Sequence, residues 1–277
     1  MTLLQRNRLF VFGIALSALM FLAVLALSVM IVPSFGEITA GAARRASGIL
    51  QPLMIRLLDP SPYVPYISMI LACTYSLATT ILIFYFFEKT QSSEILFFSL
   101  FVLSFTAEVM RTAVPLFSVL ELPHVYLIMT GRVLYFGRYF GLLSLFAASV
   151  YAAGLDIQKQ GTVILISFVI TMLIAIGIPI DGLSWDTSFT VTTGYSSMFT
   201  LAEAGIGFIT ILSFFIAAYS RGSKEYTFIG IGSLLVYIGR NVLLTADTWP
   251  PLPLAIAMLA AGTWLTCTRI HQVYLWL

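Results

Sequence analysis

The sequence predicts an all-α fold, a polytopic transmembrane helical bundle of about eight spans with its N-terminus inside. Three observations carry that prediction. The chain of 277 residues is 60% hydrophobic and only 9% charged, where a soluble domain carries about a quarter charged residues. Its mean hydropathy is +1.00. Apolar runs of roughly 20 residues, the length that crosses a hydrocarbon core about 30 Å thick, recur along the chain and leave no segment for a separate soluble domain. Residues 1–277 therefore read as a single membrane domain. The runs are continuously apolar rather than alternating, which argues against a β-barrel.

The expected spans are 9–32, 64–87, 95–118, 125–153, 162–180, 196–219, 227–245 and 252–270. The first follows Arg6 and Arg8, so a signal peptide is an alternative. Its apolar run exceeds the 7–15 residues of a typical signal core, and a retained helix is expected. Cleavage would leave seven spans. Residues 33–63 form an outer loop in which Leu50, Leu53, Met54 and Leu57 have helical spacing, flanked by Arg44, Arg45 and Arg56. That pattern suits a helix lying in the membrane interface, although Pro52 interrupts it. The same stretch would equally serve as a covering loop.

Spans four and seven carry the packing signals. Gly137, Gly141, Ser144 and Ala148 form a small-residue stripe, and Gly232 and Gly239 offer a second. Such stripes let helix backbones approach closely, and packing within one bundle is the expected use. Orientation follows from basic residues. An inside N-terminus places Arg6, Arg8, Lys89, Lys159, Arg221, Lys224 and Arg269 inside, and Asp59, Glu121, Asp181, Asp186 and Asp247 outside.

Six charges fall within the apolar spans: Glu108, Arg111, Arg132, Arg138, Glu203 and Arg240. A charge at membrane depth costs several kcal/mol unless it is paired or faces water. Counting along the spans puts five of them in one outer layer with Arg138 just beneath, and Tyr135 lies three residues from both Arg132 and Arg138. The expected arrangement is a common interior between spans three, four, six and seven. Four arginines there meet two glutamates. Arginine stays protonated, so an anion, backbone carbonyls or water must meet the surplus. One reading is an anion site in which Arg111, Arg132, Tyr135, Arg138 and Arg240 bind the ligand while Glu108 and Glu203 set geometry or couple protons. The other is a structural network pairing Glu108 with Arg111 or Arg132, and Glu203 with Arg240.

A weak internal repeat runs through the same residues. Phe105-Thr106-Ala107-Glu108 resembles Phe199-Thr200-Leu201-Ala202-Glu203, and Tyr135-Phe136-Gly137-Arg138 resembles Tyr237-Ile238-Gly239-Arg240. An offset of three helices reverses direction, as in the inverted repeats of transporters.

Catalytic chemistry is sparse. His124 and His271 sit at opposite ends, and Cys73 and Cys267 at different depths. No His-Glu-x-x-His, Gly-x-Ser-x-Gly or P-loop pattern occurs. No catalytic residue, metal site or cofactor is expected. Asp181 and Asp186, flanking Trp185, read as solvated loop charge. No large basic patch points to nucleic acid.

In outline the chain resembles the polytopic sensor modules of bacterial signalling proteins and small secondary carriers, a likeness of architecture alone. The first functional expectation is a carrier or binding protein for a small organic anion or anionic lipid, in a bacterial cytoplasmic membrane. The alternative is a sensor or accessory subunit that docks on a membrane protein partner.

Overall fold

The computed structural model describes residues 3–43, 59–88, 90, 92–120 and 123–275. Its helices are α1 (Leu3–Ala43), α2 (Tyr63–Phe87), α3 (Ser93–Ser104), α4 (Ala113–Leu120), α5 (His124–Ala153), α6 (Gln160–Gly177), α7 (Ser196–Arg221), α8 (Lys224–Leu244) and α9 (Pro251–Leu275). A 3-10 segment, Phe105–Thr112, joins α3 to α4. Two short antiparallel strands, β1 (Ile180–Trp185) and β2 (Val191–Thr193), form a hairpin between α6 and α7.

Eight helical spans are long and apolar enough to cross a membrane, as the sequence predicts. The helix is the natural solution in lipid because it satisfies its own backbone. α1 differs from expectation at its end. Its backbone stays helical to Ala43, so the outer connection begins later than residue 33. The proposed interfacial helix near Leu50–Leu57 lies outside the described residues.

The termini follow local chemistry. Ser92 caps α3, its Oγ accepting from Ile95 N at 3.2 Å. α5 ends at Gly154 with φ +116°, a left-handed backbone that glycine adopts without steric cost.

Cross-helix bonds align the ends of the bundle. Arg6 Nη2 donates to the Phe87 and Glu88 carbonyls at 3.0 and 2.6 Å. Arg269 pairs with Glu225 at 3.0 Å, and Tyr274 Oη donates to Glu94 at 2.6 Å. Arg6, Arg221 and Arg269 thus gather at the end expected inside. At the opposite end Ser61 N donates to the Asp247 carbonyl at 3.0 Å.

The small-residue stripe on α5 packs within the bundle. A methyl added at Gly137 would meet Ala107, and one at Gly141 would meet Ser104. Glycine there brings α5 against the start of the 3-10 segment. Gly232 and Gly239 do the same for α8, against α9 rather than α5.

Candidate functional site

The third span is broken where its charges lie. Eight residues, Phe105–Thr112, wind as a 3-10 helix between two α-helical halves. Runs longer than three or four residues are uncommon in this form, and a mid-helix stretch often marks a functional hinge. Local hydroxyls favour the tighter turn. Ser104, Thr106 and Thr112 each donate to the carbonyl three residues back, at 2.6, 2.8 and 2.6 Å. Such bonds offer the backbone an alternative to regular α-helix. In a 3-10 helix side chains at i and i+3 eclipse. Phe105, Glu108 and Arg111 therefore form one edge, and all three are buried.

Glu108 is the hub. It is 1% exposed. Its Oε1 accepts from Arg138 Nε at 2.9 Å and its Oε2 from Arg138 Nη2 at 3.0 Å, a two-pronged fork between the 3-10 segment and α5. Arg111 Nη1 adds a third donor at 3.4 Å. Arg240 approaches from α8 and donates to the Arg138 carbonyl at 3.0 Å and to Asn241 Oδ1 at 3.0 Å. Arg111 and Arg240 are 1% and 2% exposed, and the Arg138 side chain 12%. Two guanidiniums thus bond one buried carboxylate, and a third lies within Coulombic reach of it.

The surplus is met mainly by the hairpin after α6. Its turn folds into the bundle, burying Ser188 and Thr190. Arg111 Nε donates to the Ser188 carbonyl at 2.8 Å, and its Nη2 donates to the same oxygen. Arg111 Nη1 also reaches Ser68 Oγ on α2 at 3.1 Å. Arg138 Nη2 donates to Thr190 Oγ1 at 3.3 Å, and Tyr135 Oη to the Val191 carbonyl at 3.2 Å. The Tyr135 ring lies 5.9 Å from the Arg138 guanidinium carbon. Tyr135 thus supports Arg138 and the hairpin; no bond joins it to Arg132.

Asp186 shapes the turn. Its Oδ1 accepts from Ser188 N at 3.0 Å, Ser188 Oγ at 2.7 Å and Thr190 N at 2.8 Å. Asp186 is exposed, as expected of loop charge, and in addition it organises the turn. Phe189 adopts φ +58°, sparsely populated for a bulky residue. Its ring meets Tyr66 edge-on at 6.5 Å, anchoring the turn against α2.

Two site residues stand apart from this lattice. Glu203 is half-buried on α7 and forms no ion pair among the described residues. It lies within Coulombic reach of Arg138 and Arg240, so the expected Glu203–Arg240 bond is replaced by a longer-range attraction. Its backbone carbonyl accepts from Tyr237 Oη at 3.2 Å. Arg132 is also half-buried, and its Nε has no hydrogen-bond partner among the described residues. Helical spacing sets it on the same side of α5 as Tyr135 and Tyr139, both of which feel the Glu203 charge.

Among the described residues, no cluster of three or more His, Cys, Asp or Glu has metal-binding geometry. His124 Nδ1 sits 3.2 Å from the Gly182 carbonyl, holding the hairpin base. Sequence reasoning located Glu108, Arg111, Arg138 and Arg240 but missed Ser68, Ser188 and Thr190. Comparison with protein-family models finds no match, and comparison with curated proteins finds none.

Proposed function

We propose that this integral membrane protein is a carrier or binding protein for a small anion, held by the outer arginine cluster. The observation that carries the reading is the unequal charge: Arg111 and Arg138 bond Glu108, Arg240 bonds the Arg138 carbonyl beside them, and Glu108 is the single fully buried carboxylate of the group. The Ser188 carbonyl and Thr190 hydroxyl occupy positions suited to the oxygens of a carboxylate or phosphate. On this reading the hairpin is a built-in stand-in that an anion displaces. Arg132, with its unpartnered Nε, is the first cation offered to an incoming ligand. Glu108 orients the arginines, and Glu203 is the candidate for proton coupling. The broken third span matches this role, since interrupted helices line substrate sites in many transporters. A bacterial cytoplasmic membrane is the proposed location.

The test uses purified protein and defined probes: inorganic phosphate, acetate and succinate. At least one should raise the unfolding temperature in a saturable way. Arg132→Gln, which removes no protein–protein hydrogen bond described above, should weaken that effect tenfold or more in probe concentration. Failure of all three probes, or an unchanged response in both Arg132→Gln and Arg138→Gln, overturns the reading.

A second reading rests on a different observation. Arg111, Arg138 and Arg240 already hydrogen-bond to protein groups. The charges then serve as a structural network within a sensor or accessory subunit. Purification in mild detergent separates the two, because this reading requires a stoichiometric membrane partner.

A further inference from the structure

A long cleft extends from beside the 3-10 segment, where Tyr75 packs on Phe105, toward the opposite end of the bundle. It runs between α2 and α9, with a volume of about 770 Å³. That falls in the usual range for a bound small molecule, roughly 300–1,000 Å³. Its walls are apolar over most of their length, including Leu82, Phe86 and Ile256. Two contacts cross it and hold the helices at a fixed distance. Tyr75 and Thr263 share a hydrogen bond at 2.6 Å, and the Phe87 and His271 rings meet edge-on at 5.6 Å. Trp264, also on the wall, is 69% exposed. In a membrane-spanning helix that exposure faces lipid.

Chemistry changes at one end. Gln272 lines both this cleft and a second one of about 560 Å³ that contains Arg221, Glu225 and Arg269. The two clefts therefore adjoin at Gln272, at the end of the bundle expected inside. Arg269 is paired to Glu225. Arg221 is exposed and has no carboxylate partner among the described residues; its Nη1 donates to Tyr226 Oη at 2.8 Å. His271 Nδ1 is buried without a hydrogen-bond partner among the described residues. An apolar slot thus borders a notch with two guanidiniums and one carboxylate.

We infer that this composite cleft binds one anionic glycerophospholipid of the inner leaflet, with an acyl chain between α2 and α9 and the phosphate between Arg221 and Arg269. Lining residues from Leu71 to Phe87 cover about 24 Å of α2 at 1.5 Å per residue. That exceeds the half-thickness of the hydrocarbon core, about 15 Å, so a chain anchored at the inner surface fits lengthwise. Charge selects the headgroup: an anionic phosphate complements the net positive notch, and a zwitterionic lipid brings its own cation to the same place. The headgroup notch is separate from the outer arginine cluster, and the proposal stands whether or not that cluster binds an anion.

Delipidated protein is titrated with phosphatidylglycerol or phosphatidylcholine in mixed micelles, with inorganic phosphate as the control. Unfolding temperature and native mass spectrometry are the readouts. Phosphatidylglycerol should stabilise by several degrees and appear as one retained lipid per chain. Phosphatidylcholine should give less than half that shift, and phosphate none. Arg221→Gln with Arg269→Gln should remove the preference between the lipids. Ala260→Trp, which fills the cleft from a lipid-exposed position, should remove the retained lipid while leaving the arginines in place. Equal stabilisation by both lipids overturns the proposal. So does retained phosphatidylglycerol in Ala260→Trp, or a stoichiometric protein with no bound lipid in the wild type.

Discussion

The two halves of the weak internal repeat place the same residue types at similar depth and use them differently. In the first, Glu108 and Arg138 form a two-pronged ion pair at 2.9 and 3.0 Å. In the second, Glu203 and Arg240 make no such pair, and Arg240 donates instead to the carbonyl of Arg138. The glycines diverge as well. Gly137 admits the 3-10 segment that carries Glu108, whereas Gly239 admits α9, which carries no acidic residue. The difference teaches that a buried ion pair depends on which helix a glycine lets in. The first half is a closed lattice. The second keeps one half-buried carboxylate without an ion-pair partner among the described residues, facing the lattice.

Breaking the closed half should have the largest effect. Glu108→Gln leaves Arg111 and Arg138 buried without their carboxylate. Removing one partner of a buried pair costs about 3–5 kcal/mol, and the expected outcome is a collapse in folded yield or a drop of many degrees in unfolding temperature. Near-normal stability would mean the lattice is held by the hairpin rather than by Glu108.

Gly137→Ala comes next. The added methyl meets Ala107 across the interface with the 3-10 segment. Overpacking of this kind costs about 1–3 kcal/mol, and Gly239→Ala should cost a similar amount through α9. Only the first should also disturb the Glu108–Arg138 pair. Hydrogen exchange over residues 105–112 reads the distinction.

Asp186→Ala probes the hairpin that the first half depends on. It removes the acceptor for Ser188 N and Thr190 N. A loss of about 1–3 kcal/mol is expected, concentrated in faster exchange and proteolysis of residues 180–193. If the hairpin is a displaceable stand-in, the same variant should bind an anion probe more tightly than wild type.

Glu203→Gln should have the smallest effect on stability, within about 0.5 kcal/mol, because no ion pair is lost. A cost comparable to that of Glu108→Gln would place a direct partner on Glu203 and erase the contrast between the halves.

Several site features were legible in residue order. Charges inside apolar runs stand out in any hydropathy reading, so Glu108, Arg111, Arg138 and Arg240 were identifiable as a group. Their partners were not. The Ser188 and Val191 carbonyls exist at every residue and leave no trace in side-chain type. Asp186 did leave one: aspartate two and four residues before Ser188 and Thr190 is the pattern of a side chain that caps its own turn. The 3-10 segment also had a local cue in the hydroxyls of Ser104, Thr106 and Thr112, which is weaker because such residues occur in ordinary membrane helices.

Residue order alone determined the number of spans and their limits to within a few residues over most of the chain. That follows because a helix in lipid satisfies its backbone within itself, so length and composition decide it locally. Only the tertiary structure decided which arginine grips Glu108, that a loop between spans five and six turns back to bond Arg111 and Arg138, and that Glu203 stands off. Those choices depend on how closely neighbouring helices approach and on where a backbone carbonyl points, and no single stretch of sequence contains either quantity.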